Sequence, residues 1–199
     1  MQIFYTLTDE GVIASLRAGG VGVIPTDTVY GLVGSAKNEL AVARMFTVKA
    51  RKNQPGTVLA ASVEQLAELG IKPRYLHAVE QYWPNPISII IPCGPELGYL
   101  HMGKNSLAVR IPAHDQLIAV LSQTGPLMTT SANHPGEPTA PDIAAAEDYF
   151  GELADFYVDA GDLGERLPST IIRIVDDAIE VIRQGAVNID ENGRIVNER

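Results

Sequence analysis

The sequence predicts a single α/β domain: a twisted mixed sheet with flanking helices. Three observations carry this reading. Short apolar runs of strand length alternate with capped, amphipathic segments of helix length, as where Val21–Ile24 is followed by Leu40–Ala50. A chain of 199 residues, 46% of them apolar, suits one domain with a sizeable core. No internal repeat, low-complexity tract or linker divides it.

The elements follow in order. Thr8 can cap a first helix running through Leu16-Arg17-Ala18, which Gly19-Gly20 ends. Val21-Gly22-Val23-Ile24 reads as a short buried strand stopped by Pro25. Asn38 caps a second helix whose apolar face is Leu40, Ala43, Phe46 and Ala50, with Val42 and Met45 beside it. Lys49 and Arg51 fall at its C-terminal end, where the helix dipole favours cations. Thr57–Ala61 is the next strand, and Ser62 to Gln65 has capping-box spacing for a short helix ending at Gly70. Pro73 suits the first turn of a helix that runs to Trp83 and stops at Pro84. Strands Ile87–Ile91 and Leu107–Ile111 flank a Gly/Pro-rich loop. Asp115–Ser122 is helical, Leu127–Thr130 is a strand feeding Ser131, and Pro141–Phe150 is a helix. Phe156–Val158, Thr170–Val175 and Val181–Arg183 are the last strands.

A formal net charge of −9 argues against a general nucleic-acid binder, which needs a basic face to neutralise phosphates. Fourteen of the 24 acidic residues lie from Asp142 onward and read as a solvated surface. Any phosphate chemistry must therefore rest on a local basic pocket. No apolar run approaches the roughly 20 residues that cross a bilayer, and the N-terminus lacks the pattern of a signal peptide. The single cysteine, Cys93, allows neither an internal disulfide nor a cysteine metal cluster, so a cytoplasmic location is expected.

Familiar catalytic signatures are missing: no P-loop, no dinucleotide fingerprint and no nucleophile elbow. His77, His101, His114 and His134 are dispersed without metal-ligand spacing, and Cys93 reads as a packing residue. Two tripeptides stand out instead, Lys49-Ala50-Arg51 and Ser131-Ala132-Asn133. Basic residues are scarce, with only Lys104 and Arg110 between positions 75 and 165, so the cations at 49–52 are conspicuous. If the fold joins the two tripeptides, they line a pocket for a polyanion. Pro25–Leu32, with Thr28, follows a buried strand and reads equally as an ordinary turn or as a ligand loop. Ser106 and Arg110 begin and end one strand, where Arg110 has the geometry of a carboxylate clamp or of a surface ion pair. Ser169 and Arg183 repeat the pattern of a polar group at a strand edge.

The ordered set resembles the YrdC-type threonylcarbamoyl-AMP synthase family in its short form, TsaC. The matching segments are Pro25–Leu32, Lys49-Ala50-Arg51, Tyr82–Pro86, Ala108–Pro112, Ser131-Ala132-Asn133, Ser169-Thr170-Ile171 and Ile182–Gly185. The resemblance implies a YrdC-like fold around a large cavity, over residues 1–187, with 188–199 as a C-terminal tail. It implies a nucleotidyltransferase that makes threonylcarbamoyl-adenylate and pyrophosphate from L-threonine, bicarbonate and ATP, with Mg2+ accompanying the ATP. The product would pass to a tRNA-modifying transferase complex, with weak or no direct tRNA binding and no membrane partner. Lys49 and Arg51 would hold the phosphates, and Ser131, Asn133, Arg183 and Ser106 would contact the nucleotide. Thr28, Arg110 and Ser169 would bind threonine.

Four positions depart from the family pattern: Lys52, Thr57, Asn85 and Ser88 stand where proline, leucine, glycine and threonine are usual. The chain is expected to lack the extra C-terminal domain of longer members, and with it any lid. Two other readings stay open. A carbamoyl-transfer module would be joined to acylphosphatase and zinc-finger segments, for which the length and cysteines are wanting. A non-catalytic RNA-binding paralogue would be expected to lose the Lys-x-Arg and Ser-x-Asn pairs, which are intact here.

Overall fold

A computed structural model describes residues 1–51, 54–164, 166–175, 178–190 and 193–196. Its strands are β1 (Gln2–Phe4), β2 (Gly22–Ile24), β3 (Gly31–Ser35), β4 (Thr57–Leu59), β5 (Ile87–Pro92), β6 (Ser106–Arg110), β7 (Leu127–Ser131), β8 (Phe156–Val158), β9 (Thr170–Val175) and β10 (Ala178–Arg183). They form one sheet in the order β1-β8-β2-β3-β7-β4-β6-β5-β9-β10. The pairs β1/β8, β2/β8, β4/β6 and β5/β9 are parallel and the others antiparallel, so the sheet is mixed, as predicted. The helices are α1 (Glu10–Arg17), α2 (Glu39–Val48), α3 (Val63–Leu69), α4 (Pro73–His77), α5 (Gly98–His101), α6 (Asp115–Thr124) and α7 (Ile143–Phe150).

Strand alternation divides side chains between the two faces. One face is mainly apolar: Val23, Leu32, Met128, Val58, Val109, Ile89 and Ile172 belong to the larger core cluster, with Val42, Met45 and Phe46 of α2, Leu66 of α3 and Phe150 of α7. The other face changes character along its length. Ile24, Val33, Leu59 and Leu127 pack with Val12 and Leu16 of α1 and with Leu117, Val120 and Leu121 of α6 in a second cluster. Two residues further along the same strands stand Gly31, paired with Ser131, and Thr57, paired with Thr129 on one side and Ala108 on the other. These small and polar residues line a cavity.

Several elements differ from expectation for identifiable reasons. Asp9, not Thr8, caps α1: its carboxylate accepts from Gly11 N at 2.8 Å and adds a favourable charge at the helix start. The buried stripe of α2 is Ala41, Val42, Met45, Phe46 and Val48, leaving Leu40 82% exposed and Ala43 and Ala50 also outside. The segment after Pro73 breaks into α4 and a short 3-10 turn, Glu80–Tyr82, which brings Val79 and Tyr82 into the core. The strand β3 was hidden by Gly31 and Gly34, which have poor strand propensity yet are wholly buried here. In the C-terminal segment, Asn188–Ile189 pairs with Ile195–Val196, and the Tyr82 hydroxyl donates to Gly193 O at 3.1 Å. Lys52 and residues 197–199 lie outside the described residues.

Candidate functional site

The cavity occupies the part of the second sheet face that α1 and α6 do not cover, and it measures about 680 Å3. Alternate residues of three strands form its floor: Ser106, Ala108 and Arg110 of β6, Thr129 and Ser131 of β7, and Ile171 and Arg173 of β9. Small residues give it depth, since a Cβ on Gly31 would lie 2.7 Å from Thr129 Oγ1, and one on Gly56 would run into the Thr129 carbonyl. Among the described residues five cations line it, Arg51, Lys104, Arg110, Arg173 and Arg183, and no lining residue is acidic. In a chain of net charge −9 this is a strong local reversal of sign.

The two tripeptides meet. The C-terminus of α2 ends in a Schellman motif, with Arg51 N donating to Phe46 O at 3.1 Å and Ala50 N to Thr47 O at 3.0 Å. Ala50 takes the left-handed conformation, φ 53°, that glycine usually fills there. The reversal sends the side chains on either side of Ala50 in different directions. Arg51 reaches the cavity. Lys49 instead turns behind its wall, where it is only 3% exposed and donates to Ser131 O (2.6 Å), Asn133 O (2.5 Å) and Asn133 Oδ1 (2.7 Å). Asn133 Oδ1 also accepts from the Ser131 hydroxyl at 2.7 Å, and Asn133 Nδ2 donates to Glu137 O at 2.6 Å. All three ammonium protons are thus committed to protein oxygens. Lys49, expected at the phosphates, ties the Ser-x-Asn segment to the helix end, and neither Lys49 nor Asn133 lines the cavity. Burial, with the Arg51 charge, pushes Lys49 down to about 8.

At the far end of β6, Arg110 is 4% exposed and lies 3.1 Å from Asp27 Oδ1, while Asp27 Oδ2 accepts from Ala113 N at 3.2 Å. Burial lowers the Arg110 pKa; Asp27 opposes that shift and Arg183 reinforces it. Thr28, 3% exposed, is held by a turn in which its N–H donates to Thr26 Oγ1 at 3.1 Å. Arg183 donates to Ser169 O at 2.7 and 3.2 Å, and Ser169 Oγ lies 2.9 Å from Ser88 Oγ. Burial lowers the pKa of Arg183, and burial followed by the Arg183 charge lowers that of Arg51. Such mutual discouragement of charge is what an anionic ligand relieves.

Of the predicted site residues, Arg51, Ser106, Ser131, Arg183, Thr28, Arg110 and Ser169 come together on the cavity. Three of the departing positions have structural partners: Thr57 lines the cavity, Ser88 bonds Ser169, and Asn85 Nδ2 donates to Tyr82 O at 3.0 Å. Sequence reasoning missed Asp27, Lys104 and Arg173. The period-two spacing of Ile171 and Arg173 after Ser169 was the available signal for Arg173. Asp27 and Lys104 sit in loops and gave none. Cys93 packs against the core, and burial together with Glu96 pushes its thiol up to about 11, consistent with packing rather than nucleophilic use. Among the described residues no group of three His, Cys, Asp or Glu side chains could hold a metal.

Comparison with known proteins agrees with this geometry. A family model, Sua5_yciO_yrdC, described as "Telomere recombination", matches residues 14–185. A threonylcarbamoyl-AMP synthase of Coxiella burnetii is 37% identical over 188 residues, covering 90% of this chain and 98% of the relative. The crystal structure of Pyrococcus abyssi Sua5 complexed with L-threonine superposes with a TM-score of 0.83 at 25% identity, covering 94% of this chain. This chain spans 58% of that longer protein. Escherichia coli YciO shares the fold, with a TM-score of 0.81 at 22% identity over 96% of this chain and 98% of its own.

Proposed function

This chain belongs to the Sua5/YciO/YrdC family, and on that premise we propose that it is a threonylcarbamoyl-AMP synthase, converting L-threonine, bicarbonate and ATP to threonylcarbamoyl-adenylate and pyrophosphate. The observation that carries the proposal is the cavity lined, among the described residues, by five cations and no acid, and large enough for a nucleotide and an amino acid together. The name of the Coxiella relative and the threonine in the Pyrococcus structure support it from outside.

In this reading the threonine amine adds to bicarbonate with loss of water, giving N-carboxythreonine. An oxygen of the new carboxylate attacks the α-phosphorus, the bond to the bridging oxygen of the β-phosphate breaks, and pyrophosphate leaves with the electron pair. Arg51 neutralises charge that develops on the phosphates, while Ser131, Ser106 and Arg183 position the nucleotide. Lys49 and Asn133 serve by fixing the wall that carries Ser131. Arg110, aimed by Asp27, accepts the threonine carboxylate, and Thr28 and Ser169 complete the amino-acid pocket. Positioning and charge stabilisation then carry the rate, and no catalytic triad is required. Because no carboxylate lines the cavity among the described residues, Mg2+ would be brought by the ATP phosphates, whose charge it would help neutralise. The product, an activated mixed anhydride, would pass to an acceptor enzyme, for which the family resemblance suggests a tRNA-modifying transferase complex. The acidic exterior disfavours direct capture of tRNA.

Purified protein given ATP, threonine and labelled bicarbonate should release pyrophosphate only when threonine is present and should incorporate label into an adenylate. Pyrophosphate release that ignores threonine would refute the synthase reading.

A further inference from the structure

Among the described residues one lysine lines the cavity, and it is not the one in the Lys-x-Arg tripeptide. Lys49 has spent its three donors on the wall, whereas Lys104 lines the cavity and forms no salt bridge among the described residues. Lys104 is presented by an unusual turn. Met102, Gly103 and Asn105 all have positive φ, at 50°, 80° and 54°, a conformation that persists only where the surroundings enforce it. The enforcing group is His101, 2% exposed, whose Nδ1 accepts from Gly103 N at 3.1 Å and Asn105 N at 3.2 Å. Accepting there leaves Nε2 as the protonated nitrogen, 3.2 Å from Gly94 O. Lys104 N donates to His101 O at 2.9 Å, and Cys93 N to Asn105 O at 3.0 Å, closing the turn onto the end of β5.

Register shows which part of the cavity this turn serves. β4 and β6 are parallel, with Thr57 beside Ala108, so Gly56 and Lys104, which precede these strands, lie at one edge of the sheet. β7 runs antiparallel to β4 and therefore leaves at that edge, carrying Ser131. Arg110 stands at the opposite end of β6. Lys104 thus shares an edge with Ser131 and, since Lys49 two residues before Arg51 bonds Ser131 O, with Arg51 on the same cavity, away from the residue assigned to the threonine carboxylate.

We propose that Lys104, displayed by the turn tied to His101, binds the β- and γ-phosphates of the nucleotide, the half that departs as pyrophosphate. This rests on the nucleotide reading of the cavity. A lysine is suited to the task, since its compact ammonium meets a terminal phosphate as a point charge and its flexible stem lets the leaving group go.

The test is calorimetric titration of the full chain with pyrophosphate, ATP and AMP. Lys104→Ala and Lys104→Gln should each weaken pyrophosphate and ATP roughly tenfold while moving AMP by less than about twofold. Lys104→Arg should restore most of the loss. Lys72→Ala, which removes an exposed lysine outside the cavity and changes net charge equally, should leave all three unchanged. If Lys104→Ala and Lys104→Gln bound pyrophosphate like the parent, or lost AMP as much as ATP, the assignment would fall while the nucleotide site stood. A parent protein that bound none of the three would remove both.

Discussion

The two halves of one sheet face follow opposite rules although the same strands build both. Under α1 and α6 the face reads Val33, Leu59 and Leu127, fully buried and apolar. One step of two residues along those strands gives Gly31, Thr57 and Thr129, with Ala108 beside them and cations around them. Nothing in the backbone pairing marks the change, because the register runs through it without a break. The difference lies in what covers the face. Where helices lie, contact energy is gained by filling space; where they do not, small side chains keep space open, and Arg51, Lys104 and Arg183 face it without a salt bridge among the described residues, while Arg110 pairs with Asp27 and Arg173 with Glu180. A fold thereby obtains a rigid site without a flexible loop as its floor.

This contrast can be broken deliberately, and the largest effect is expected in the open half. Arg51→Ala should lower turnover by a hundred- to a thousandfold, about 3–4 kcal/mol of transition-state stabilisation, while the denaturation midpoint stays within error of the parent. Full activity in that variant would remove Arg51 from the site. In the covered half Leu59→Ala should do the reverse, costing about 3 kcal/mol in urea unfolding with normal turnover where the protein remains folded. If Leu59→Ala lost activity in proportion to Arg51→Ala, the two halves would not be functionally separate.

Lys49 belongs to neither half, since it is buried behind the cavity wall, and its variants separate support of the site from contact with a ligand. Lys49→Met strands three buried acceptors and should cost about 2 kcal/mol in stability together with a loss of ATP affinity. Its pKa also gives a sign to the pH response. Below about 8 the ammonium fills three acceptors; above it the neutral amine has too few protons for them, so ATP affinity should fall as pH rises through about 8. A flat affinity from pH 7 to 9.5 would contradict that role. The smallest effect is at the bend between the two directions: Ala50→Gly should gain about 1 kcal/mol, because glycine takes φ 53° without the Cβ conflict. A destabilised Ala50→Gly would mean that the methyl group has a packing role.

How far this was legible in the sequence depended on locality. β8 and β9 were read with their observed bounds, and α2, α3 and α7 nearly so, because caps and apolar runs are local signals. β3 was not, since two glycines in five residues look like a turn until neighbours on both sides bury them. The stripe of α2 was misphased for a related reason: Leu40 is apolar by composition, but only the tertiary contacts decide that Ala41 faces inward. The cavity residues were found through their order along the chain, which specified membership and left orientation open. Lys49 and Arg51 looked equivalent at the helix end, and only the left-handed Ala50 separates a buried tie from a ligand-facing guanidinium. Asp27 depends on Arg110, 83 residues away, which no local pattern reports, while Lys104 sits in an irregular turn tied to His101 that has no helix or strand period to read.

The segregation of charge, cations within and acid without, also sets the kinetics of arrival. At a distance a nucleotide meets a protein of net charge −9 and is repelled; only within roughly a Debye length, about 8 Å at physiological salt, does the cavity dominate. Salt should therefore act twice and in opposite senses. It screens the outer repulsion and hastens encounter, and it weakens the inner contacts and hastens escape. Stopped-flow binding of a fluorescent ATP analogue should show both association and dissociation rates rising with ionic strength, whereas a uniformly basic phosphate-binding protein would show the association rate falling.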